Sequence, residues 1–126
     1  MEAIQLDTHI VAWLWQGQAA KVKKIARCVK GREVRVSPAV VLELQLLHEI
    51  GRLKHDADEI MEGLARTTGL MQSGTPFARV VAQSVRLSWC RDPFDRLIVA
   101  QAIADKSRLL TCDDTILKHY RKAVEL

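Results

Sequence analysis

The sequence contains no long hydrophobic run: none of its apolar stretches approaches the roughly 18 residues that a membrane-spanning helix requires. No basic segment followed by an apolar one lies near the start, as it would in a secretory signal peptide. The cysteines Cys28, Cys90 and Cys112 are odd in number and widely spaced, without the CxxC or Cys/His spacing of a metal site. We therefore expect a cytoplasmic protein with reduced thiols and no membrane anchor.

At 126 residues the chain has the length of one domain with its own hydrophobic core. Apolar residues make up 48% of it and charged residues 27%, which is ordinary for a globular protein. Internal repeats, low-complexity tracts and linker-like segments are lacking. The sequence therefore predicts a single domain over residues 1–126.

Positive charge is in modest excess, at +4 with a pI near 9.2, and it is unevenly distributed. The basic residues gather in one early and one late segment, formed by Lys21, Lys23, Lys24, Arg27, Lys30, Arg32 and Arg35, and by Lys118, Arg121 and Lys122. A solvated helix face explains any one of these residues. As a distribution, the two segments favour a polyanionic partner such as nucleic acid.

Hydrophobic periodicity predicts strands and helices in alternation. Short apolar runs that end at turn residues indicate strands near 3–6, 33–36, 70–72, 108–111 and 123–126. Apolar residues at helical spacing indicate helices near 8–17, 18–30, 38–50, 55–69, 77–87, 92–104 and 116–120. This alternation is typical of an α/β fold with a mainly parallel sheet covered by helices on both faces.

The segment 91–104 predicts a buried helix with acids at its start. Asp92 is a good N-cap, and Pro93 falls at the first helical position, where its missing N–H costs nothing. The residues that follow are apolar around most of the helix circumference. Asp95 lies in the first turn, where the helix dipole favours a carboxylate. A capping role and a ligand role both fit Asp95 at this point.

Glu43 is the anomalous residue of the helix predicted after the second strand. At 100° per residue, its apolar neighbours on the helix surface are Val40, Leu46, Leu47 and Ile50. A carboxylate directed at a core is costly unless it is paired, neutralised or bound to a cation. A salt bridge to an arginine elsewhere in the chain is the alternative to a cation.

Four acids are predicted to meet at one edge of the sheet. Asp7 ends the first strand, Asp113 ends a late strand, Asp95 opens the helix before that strand, and Glu43 points inward from another helix. Because strand ends and helix starts share one edge of a parallel sheet, these carboxylates can converge. Carboxylates that lie close together repel each other unless a cation is bound, and oxygen ligands suit Mg²⁺ or Mn²⁺. Helix capping stays open as the role of Asp7 and of Asp113 or Asp114.

The acids lie in four sequence blocks: Leu6-Asp-Thr-His9, Val36-Ser-Pro-Ala-Val-Val-Leu-Glu43, Arg91-Asp-Pro-Phe-Asp-Arg-Leu-Ile-Val-Ala-Gln-Ala102 and Leu110-Thr-Cys-Asp113. Together these blocks resemble the PIN-domain family, and within it the VapC-type toxins of bacterial toxin–antitoxin modules. The resemblance covers essentially the whole chain, with the blocks in the family's order. It implies a three-layer α/β/α domain with a central, mainly parallel sheet and the activity of a Mg²⁺- or Mn²⁺-dependent endoribonuclease.

The resemblance also implies the site and the partners. Carried over by motif, the metal-binding and catalytic acids are Asp7, Glu43, Asp95 and Asp113. Asp92 and Asp114 are second choices, ranked below Asp95 and Asp113 respectively. The implied partners are an RNA substrate, a small antitoxin protein that blocks the acidic cleft, and a second copy of the chain in a homodimer.

Several neighbouring side chains have two interpretations. Thr8 and Thr111 either orient carboxylates through their hydroxyls or form local cap and turn bonds. Arg96 contacts a phosphate or, as the favoured interpretation, forms a surface ion pair. The histidines are interpreted as surface or packing residues. The three tryptophans could stack on bases, but Trp13, at helical spacing with Ile10 and Leu14, is interpreted as a core residue.

The predicted mechanism is hydrolysis, in which divalent ions held by the acids activate a water that attacks a phosphodiester in line. Basic residues would hold the RNA backbone without reading its sequence. The alternatives are a PIN-domain nuclease of RNA processing or repair, a non-catalytic binding module on the same fold, and a phosphoacceptor domain. The small size favours the toxin, and the retained acids argue against a pure binding module. A phosphoacceptor domain requires a second acid beside Asp7, which the sequence lacks.

Overall fold

Five short strands form one sheet in which every neighbouring pair runs parallel. The computed structural model describes residues 2–126. In chain order the strands are β1 (Ile4–Leu6), β2 (Val34–Val36), β3 (Met71–Gln72), β4 (Arg108–Thr111) and β5 (Ala123–Glu125). Their order across the sheet is β3-β2-β1-β4-β5, with β1 at the centre. The predicted parallel sheet is confirmed.

Helices connect these strands. Within residues 2–126 they are α1 (Thr8–Gln16), α2 (Ala19–Val29), α3 (Pro38–Glu49), α4 (Ala57–Thr68), α5 (Phe77–Ser84), α6 (Pro93–Ala104) and α7 (Asp114–His119). In that part of the chain, each helix is too short or too polar to cross a membrane.

The chain reverses its direction of travel across the sheet after β3. The connections from β1 to β2 and from β2 to β3 step one way, whereas β4 and then β5 are added on the other side of β1. Because parallel crossovers are right-handed, the two sets of connecting helices cover opposite faces, which produces the predicted three layers. The carboxyl ends of β1 and β4 flank the point where the order reverses, and open α/β sheets bind ligands at such points.

The helix ends follow the signals in the sequence. Asp7 caps α1 by accepting the N–H of Thr8 at 2.8 Å. Gly17 ends that helix at φ 74°, a left-handed conformation that glycine adopts without strain. Asp92 caps α6 ahead of Pro93, as predicted. These local signals fix the residues at which α1 and α6 begin, and α1 begins directly after β1.

The core lies between the sheet and its two helix layers. Leu6 of β1 and Leu110 of β4 are fully buried, and α6 is buried over residues 98–102, which confirms the prediction for that helix. Where α1 meets α4, the Trp15 indole packs on Gly63, and a Cβ at that glycine would lie 2.6 Å from the ring. The contact therefore requires glycine at position 63.

The buried side of α3 differs from the prediction. Val40 and Leu44 are fully buried, whereas Leu46 and Ile50 are 40% and 67% exposed. Glu43 is therefore half-buried at the margin of the buried side, and its predicted place at the centre of an apolar side was wrong. Apolar residues occupy more than one side of α3, so hydrophobicity alone did not identify the side that packs against α1, α4 and α6.

A group of polar residues surrounds Asp105, which follows α6. Gln5 is 1% exposed, and its Nε2 donates to Ser73 Oγ at 2.7 Å and to Asp105 Oδ2 at 2.8 Å. Asp105 also accepts hydrogen bonds from the Thr75 hydroxyl and the Gln101 side-chain amide. These five residues, called the Asp105 cluster below, join β1 to the loop after β3 and to the end of α6.

Candidate active site

Asp7 and Asp113 lie at the carboxyl ends of the two neighbouring strands β1 and β4. The Asp7 N–H donates to the Leu110 carbonyl at 3.0 Å, which carries the strand pairing up to the residue itself. Asp113 caps α7, its Oδ1 accepting the N–H of Ile116 at 2.9 Å. Both acids therefore cap helices, which confirms the capping interpretation, and both also stand beside the point where the strand order reverses, so their role in a site stays a prediction.

Two buried threonine hydroxyls hold carboxylates in place. Thr111 Oγ1 donates to Asp7 Oδ2 at 2.6 Å and accepts the N–H of Asp113 at 3.0 Å. Thr8 Oγ1 donates to Glu43 Oε1 at 2.5 Å. The two threonines are at most 1% exposed. The prediction that these hydroxyls orient carboxylates is confirmed.

Glu43 reaches this edge of the sheet from α3. The salt bridges found among residues 2–126 involve other acids, so the alternative of an ion pair with arginine is wrong for Glu43. Burial raises the pKa of the Glu43 carboxyl, and the charges of Asp7 and Asp92 raise it further, whereas the Thr8 hydrogen bond lowers it. A neutral hydroxyl, rather than a cationic side chain, is therefore the contact that this carboxylate makes.

Asp92 and Asp95 begin α6. The Asp92 side chain accepts the N–H groups of Phe94 and Asp95 at 2.8 and 3.1 Å and is exposed. The Asp95 carboxylate is half-buried, and no hydrogen bond to it is found from any residue between 2 and 126. Asp92 has a complete structural role as a cap, whereas Asp95 has none.

The five acids act on one another electrostatically. Burial and then the charges of Asp7, Asp92, Glu43 and Asp113 raise the pKa of Asp95 to about 7. The pKa of Asp7 is also raised, mainly by burial, although the Thr111 hydroxyl and the Thr8 N–H lower it. Asp7, Glu43, Asp92, Asp95 and Asp113 are called the acid cluster below. The other four members are each close enough to raise the pKa of Asp95.

Part of the acid cluster opens into a cleft of about 280 Å³. The cleft is lined by Asp92, Asp95 and Asp113, and also by Trp89, Cys90, Arg91, Thr115 and Ile116. Asp114 is exposed in the first turn of α7 and lies outside this lining. The structure therefore brings together the four acids of the motif prediction and Asp92, and it leaves Asp114 outside.

The donor set of the acid cluster fits a hard divalent cation. Its members offer carboxylate oxygens, which are the ligands that Mg²⁺ and Mn²⁺ prefer. The pKa values of Asp7, Glu43 and Asp95 are raised, first by burial and then by neighbouring carboxylates, so the fold brings negative charges together in a partly buried place. Among the described residues, no three acidic, histidine or cysteine side chains form a ready-made cation geometry, so small side-chain rotations would have to complete one.

Sequence reasoning missed two residues near the acids and misassigned a third. His9 was set aside, yet its charge lowers the pKa of both Asp7 and Glu43. Trp89 lines the cleft but carries no sequence signal beyond its proximity to the Asp-Pro-Phe-Asp block. Arg96 forms no ion pair among residues 2–126, contrary to the favoured interpretation, because its guanidinium donates to the backbone carbonyls of Ser84, Val85 and Cys90.

Comparison with solved structures shows the same fold in bacterial toxin–antitoxin complexes. VapBC2 from Rickettsia felis, bound to a DNA fragment from its promoter, is 16% identical with a TM-score of 0.71 over 98% of this chain and 97% of that one. A toxin–antitoxin complex from Klebsiella pneumoniae is 16% identical with a TM-score of 0.72 over 97% of this chain and 96% of that one. DNA-bound VapBC from Salmonella typhimurium is 15% identical with a TM-score of 0.67 over 100% and 98%.

Comparison by sequence supplies the family. No curated protein matches the chain. The family model described as PIN domain matches residues 4–123, a range that includes all five members of the acid cluster and all five strands except the last residues of β5. By this match over almost its entire length, the chain belongs to the PIN-domain family.

Proposed function

We propose that the chain is a divalent-metal-dependent endoribonuclease and the toxin of a toxin–antitoxin pair. The observation that carries the proposal is the acid cluster, in which carboxylates from three helix starts and from α3 meet at the carboxyl ends of β1 and β4. The fold of the VapBC complexes supports the assignment as a toxin.

Asp7, Glu43, Asp95 and Asp113 would hold the cation, with Asp92 as a possible additional ligand. When bound, Mg²⁺ or Mn²⁺ would activate the attacking water and neutralise the charge that develops in an in-line phosphodiester displacement. Thr8 holds one oxygen of Glu43, which leaves the other oxygen for the ion. Asp7 is held at both oxygens, Oδ1 by the Thr8 N–H and Oδ2 by the Thr111 hydroxyl, so it would bind the ion through the remaining lone pairs of those oxygens. Asp95 has both oxygens available, so we assign it the most direct role.

Basic residues would hold the RNA by its phosphates. Arg91 lines the cleft beside Asp92 and Asp95. Lys23, Lys24 and Arg27 of α2 are exposed and contribute to the net charge of +4. Contacts of this kind give affinity that falls with salt and carries no base specificity. The target sequence would therefore depend on other contacts.

Protein partners follow from the same assignment. An antitoxin would block the acid cluster, and we expect a positively charged side chain from it to occupy the cleft in place of the cation. A homodimer is the second expected assembly. Leu42 and Leu46 of α3 and Ile50, which directly follows that helix, are 54%, 40% and 67% exposed and supply apolar surface that a second copy would bury.

The first experiment measures cleavage of total RNA by the purified protein with Mg²⁺ or Mn²⁺, and with EDTA. The variants Asp7→Asn and Asp95→Asn test the acid cluster. Asp114→Asn is the matched control, because it removes a carboxylate that lies outside the cleft. We expect discrete products from the wild type and the control only when metal is present.

The outcomes separate the candidate functions. Metal-dependent products that disappear in both cluster variants support the nuclease. Equal cleavage by all proteins indicates a contaminating ribonuclease and removes the proposed site. If metal stabilises the folded wild type but no RNA is cleaved, the chain is a binding module on the same fold, since a non-catalytic domain would retain the ion without the reaction.

A further inference from the structure

Trp89 lines the acidic cleft and stacks on His119, and none of the assigned roles uses this aromatic pair. The rings of Trp89 and His119 stack with their centroids 4.6 Å apart and their planes 6° from parallel. Trp89 lines the cleft together with Asp92, Asp95 and Asp113. We infer that this pair is a stacking surface for an unpaired nucleobase of the RNA, placed next to the phosphodiester that the acid cluster acts on. The inference rests on the proposed function.

The pair is held rigidly before any ligand arrives. Trp89 is half-buried and packs against the core, which fixes the position of its indole. His119 Nδ1 lies 2.9 Å from the Thr115 carbonyl, and because a carbonyl only accepts, that nitrogen carries the proton. The His119 ring is therefore oriented by its own helix, and its side chain is exposed. Rigid, exposed aromatic surfaces bind planar groups with little loss of conformational entropy.

The chemistry around the pair matches a nucleotide more closely than an apolar peptide. A nucleotide has one flat aromatic part and one anionic part, joined by a sugar. Trp89 lines this cleft together with Arg91, a cation that can contact phosphate, and with acids that would hold a metal ion. Base–aromatic stacking requires a base that is not paired within a duplex. The substrate class is therefore single-stranded RNA, or the loop of a folded RNA.

The contact between the two rings is not visible in the sequence. Trp89 precedes α6 and His119 ends α7, thirty positions later. Only the packing of α7 beside the start of α6 brings the two rings together. Stacking affects every base similarly, so the pair would select unpaired nucleotides without specifying a sequence.

The test measures equilibrium binding of a short fluorescent RNA, single-stranded or annealed to its complement, in EDTA so that no cleavage occurs. His119→Leu removes the exposed ring at similar size, and His119→Phe restores an aromatic ring. Trp89→Phe and Trp89→Ala form the same comparison for the inner ring. Phe77→Ala is the matched control, because Phe77 is an aromatic residue, 69% exposed, on α5 and outside this cleft. Circular dichroism establishes that each variant is folded.

We expect tighter binding of the single strand than of the duplex by the wild type, and a loss of about 5- to 150-fold in single-strand affinity for His119→Leu and Trp89→Ala. His119→Phe, Trp89→Phe and Phe77→Ala should stay within about threefold of the wild type. Unchanged affinity in His119→Leu and Trp89→Ala overturns the inference. Equally weak binding of single-stranded RNA by the wild type and all variants also overturns it. Dependence on the two rings without any metal-dependent cleavage would keep the stacking surface and reject the nuclease.

Discussion

Two groups of residues in this protein hold carboxylates in opposite ways. In the Asp105 cluster, a single carboxylate accepts hydrogen bonds from Gln5, Thr75 and Gln101, so that both of its oxygens are satisfied by neutral donors. In the acid cluster, five carboxylates face one another, two of them held by a threonine hydroxyl, and Asp95 accepts no hydrogen bond within residues 2–126.

The difference is the one expected between a structural carboxylate and, under the proposed function, a cation-binding one. A buried carboxylate that is saturated with donors stabilises the fold, because removing it leaves those donors unpaired. Carboxylates that repel one another and keep free oxygens destabilise the fold until a cation arrives. We therefore expect substitutions in the Asp105 cluster to reduce stability and substitutions in the acid cluster to reduce activity.

The largest expected effect is on catalysis. Asp113→Asn preserves the cap of α7, since asparagine caps helices as well as aspartate does, but removes one charge from the acid cluster. We expect its RNA cleavage rate to fall by at least about 100-fold. Asp114→Asn, one residue later and outside the cleft, should retain the wild-type rate in the same assay. Equal loss in the two variants would contradict the placement of Asp113 in the site.

The next effect concerns the Asp105 cluster. Asp105→Ala leaves the amides of Gln5 and Gln101 and the hydroxyl of Thr75 without their acceptor, so we expect a loss of about 2–4 kcal/mol in the free energy of unfolding. Urea denaturation measures it. Asp114→Ala, which removes an exposed carboxylate, should change that free energy by less than about 0.5 kcal/mol. If Asp105→Ala is as stable as Asp114→Ala, the cluster has no structural role.

Metal addition should stabilise the folded protein through the acid cluster and not through the Asp105 cluster. A ligand that binds only the folded state stabilises it by about 2.7 kcal/mol at one hundred times its dissociation constant. We expect Mn²⁺ to raise the Tm of the wild type and EDTA to reverse the change. The increase in Tm should be much smaller for Asp95→Asn than for the wild type. It should equal that of the wild type for Gln101→Ala, which alters the Asp105 cluster. A full increase in Asp95→Asn would falsify the assignment of Asp95 as a ligand.

The smallest effect is on the pH dependence of stability without metal. The pKa of Asp95 is about 7 in the fold, against an ordinary value of 3.8. Between pH 3.8 and about 7, the native state therefore keeps a proton on Asp95 that the unfolded state has lost. The stability from this group is therefore fully present below about pH 4 and is lost as the pH rises to 7 and above. Because the carboxylate is only half-buried, we expect Asp95→Asn to be more stable at pH 8 by only about 1 kcal/mol, or roughly 3–5 °C in Tm.

Thermal unfolding of the wild type and of Asp95→Asn in EDTA, from pH 5 to pH 8, measures the difference between their Tm values. The gap between the two Tm values should widen as the pH rises. A gap that stays constant or narrows would show that burial and the neighbouring acids do not raise the pKa of Asp95.

The sequence predicted the secondary structure well where local signals are strong. Asp92 followed by Pro93 marks the start of α6, and Asp7 marks the start of α1, because caps act through bonds to adjacent residues. The prediction for α3 failed in its details, since Leu46 and Ile50 are as apolar as Val40 and yet are exposed. Which side of a helix is buried depends on the elements that pack against it, and a single helix does not contain that information.

By itself, the sequence determined the alternation of strands and helices, the parallel sheet that this alternation requires, and the positions of the acids at strand ends and helix starts. Only the tertiary structure decided which acids meet: Asp113 enters the cleft and Asp114 does not, although they are adjacent in the chain. Tertiary packing also stacked Trp89 on His119 and turned Arg96 toward backbone carbonyls. Local capping energies act within one turn, whereas these contacts join residues whose distance is set by the packing of separate elements.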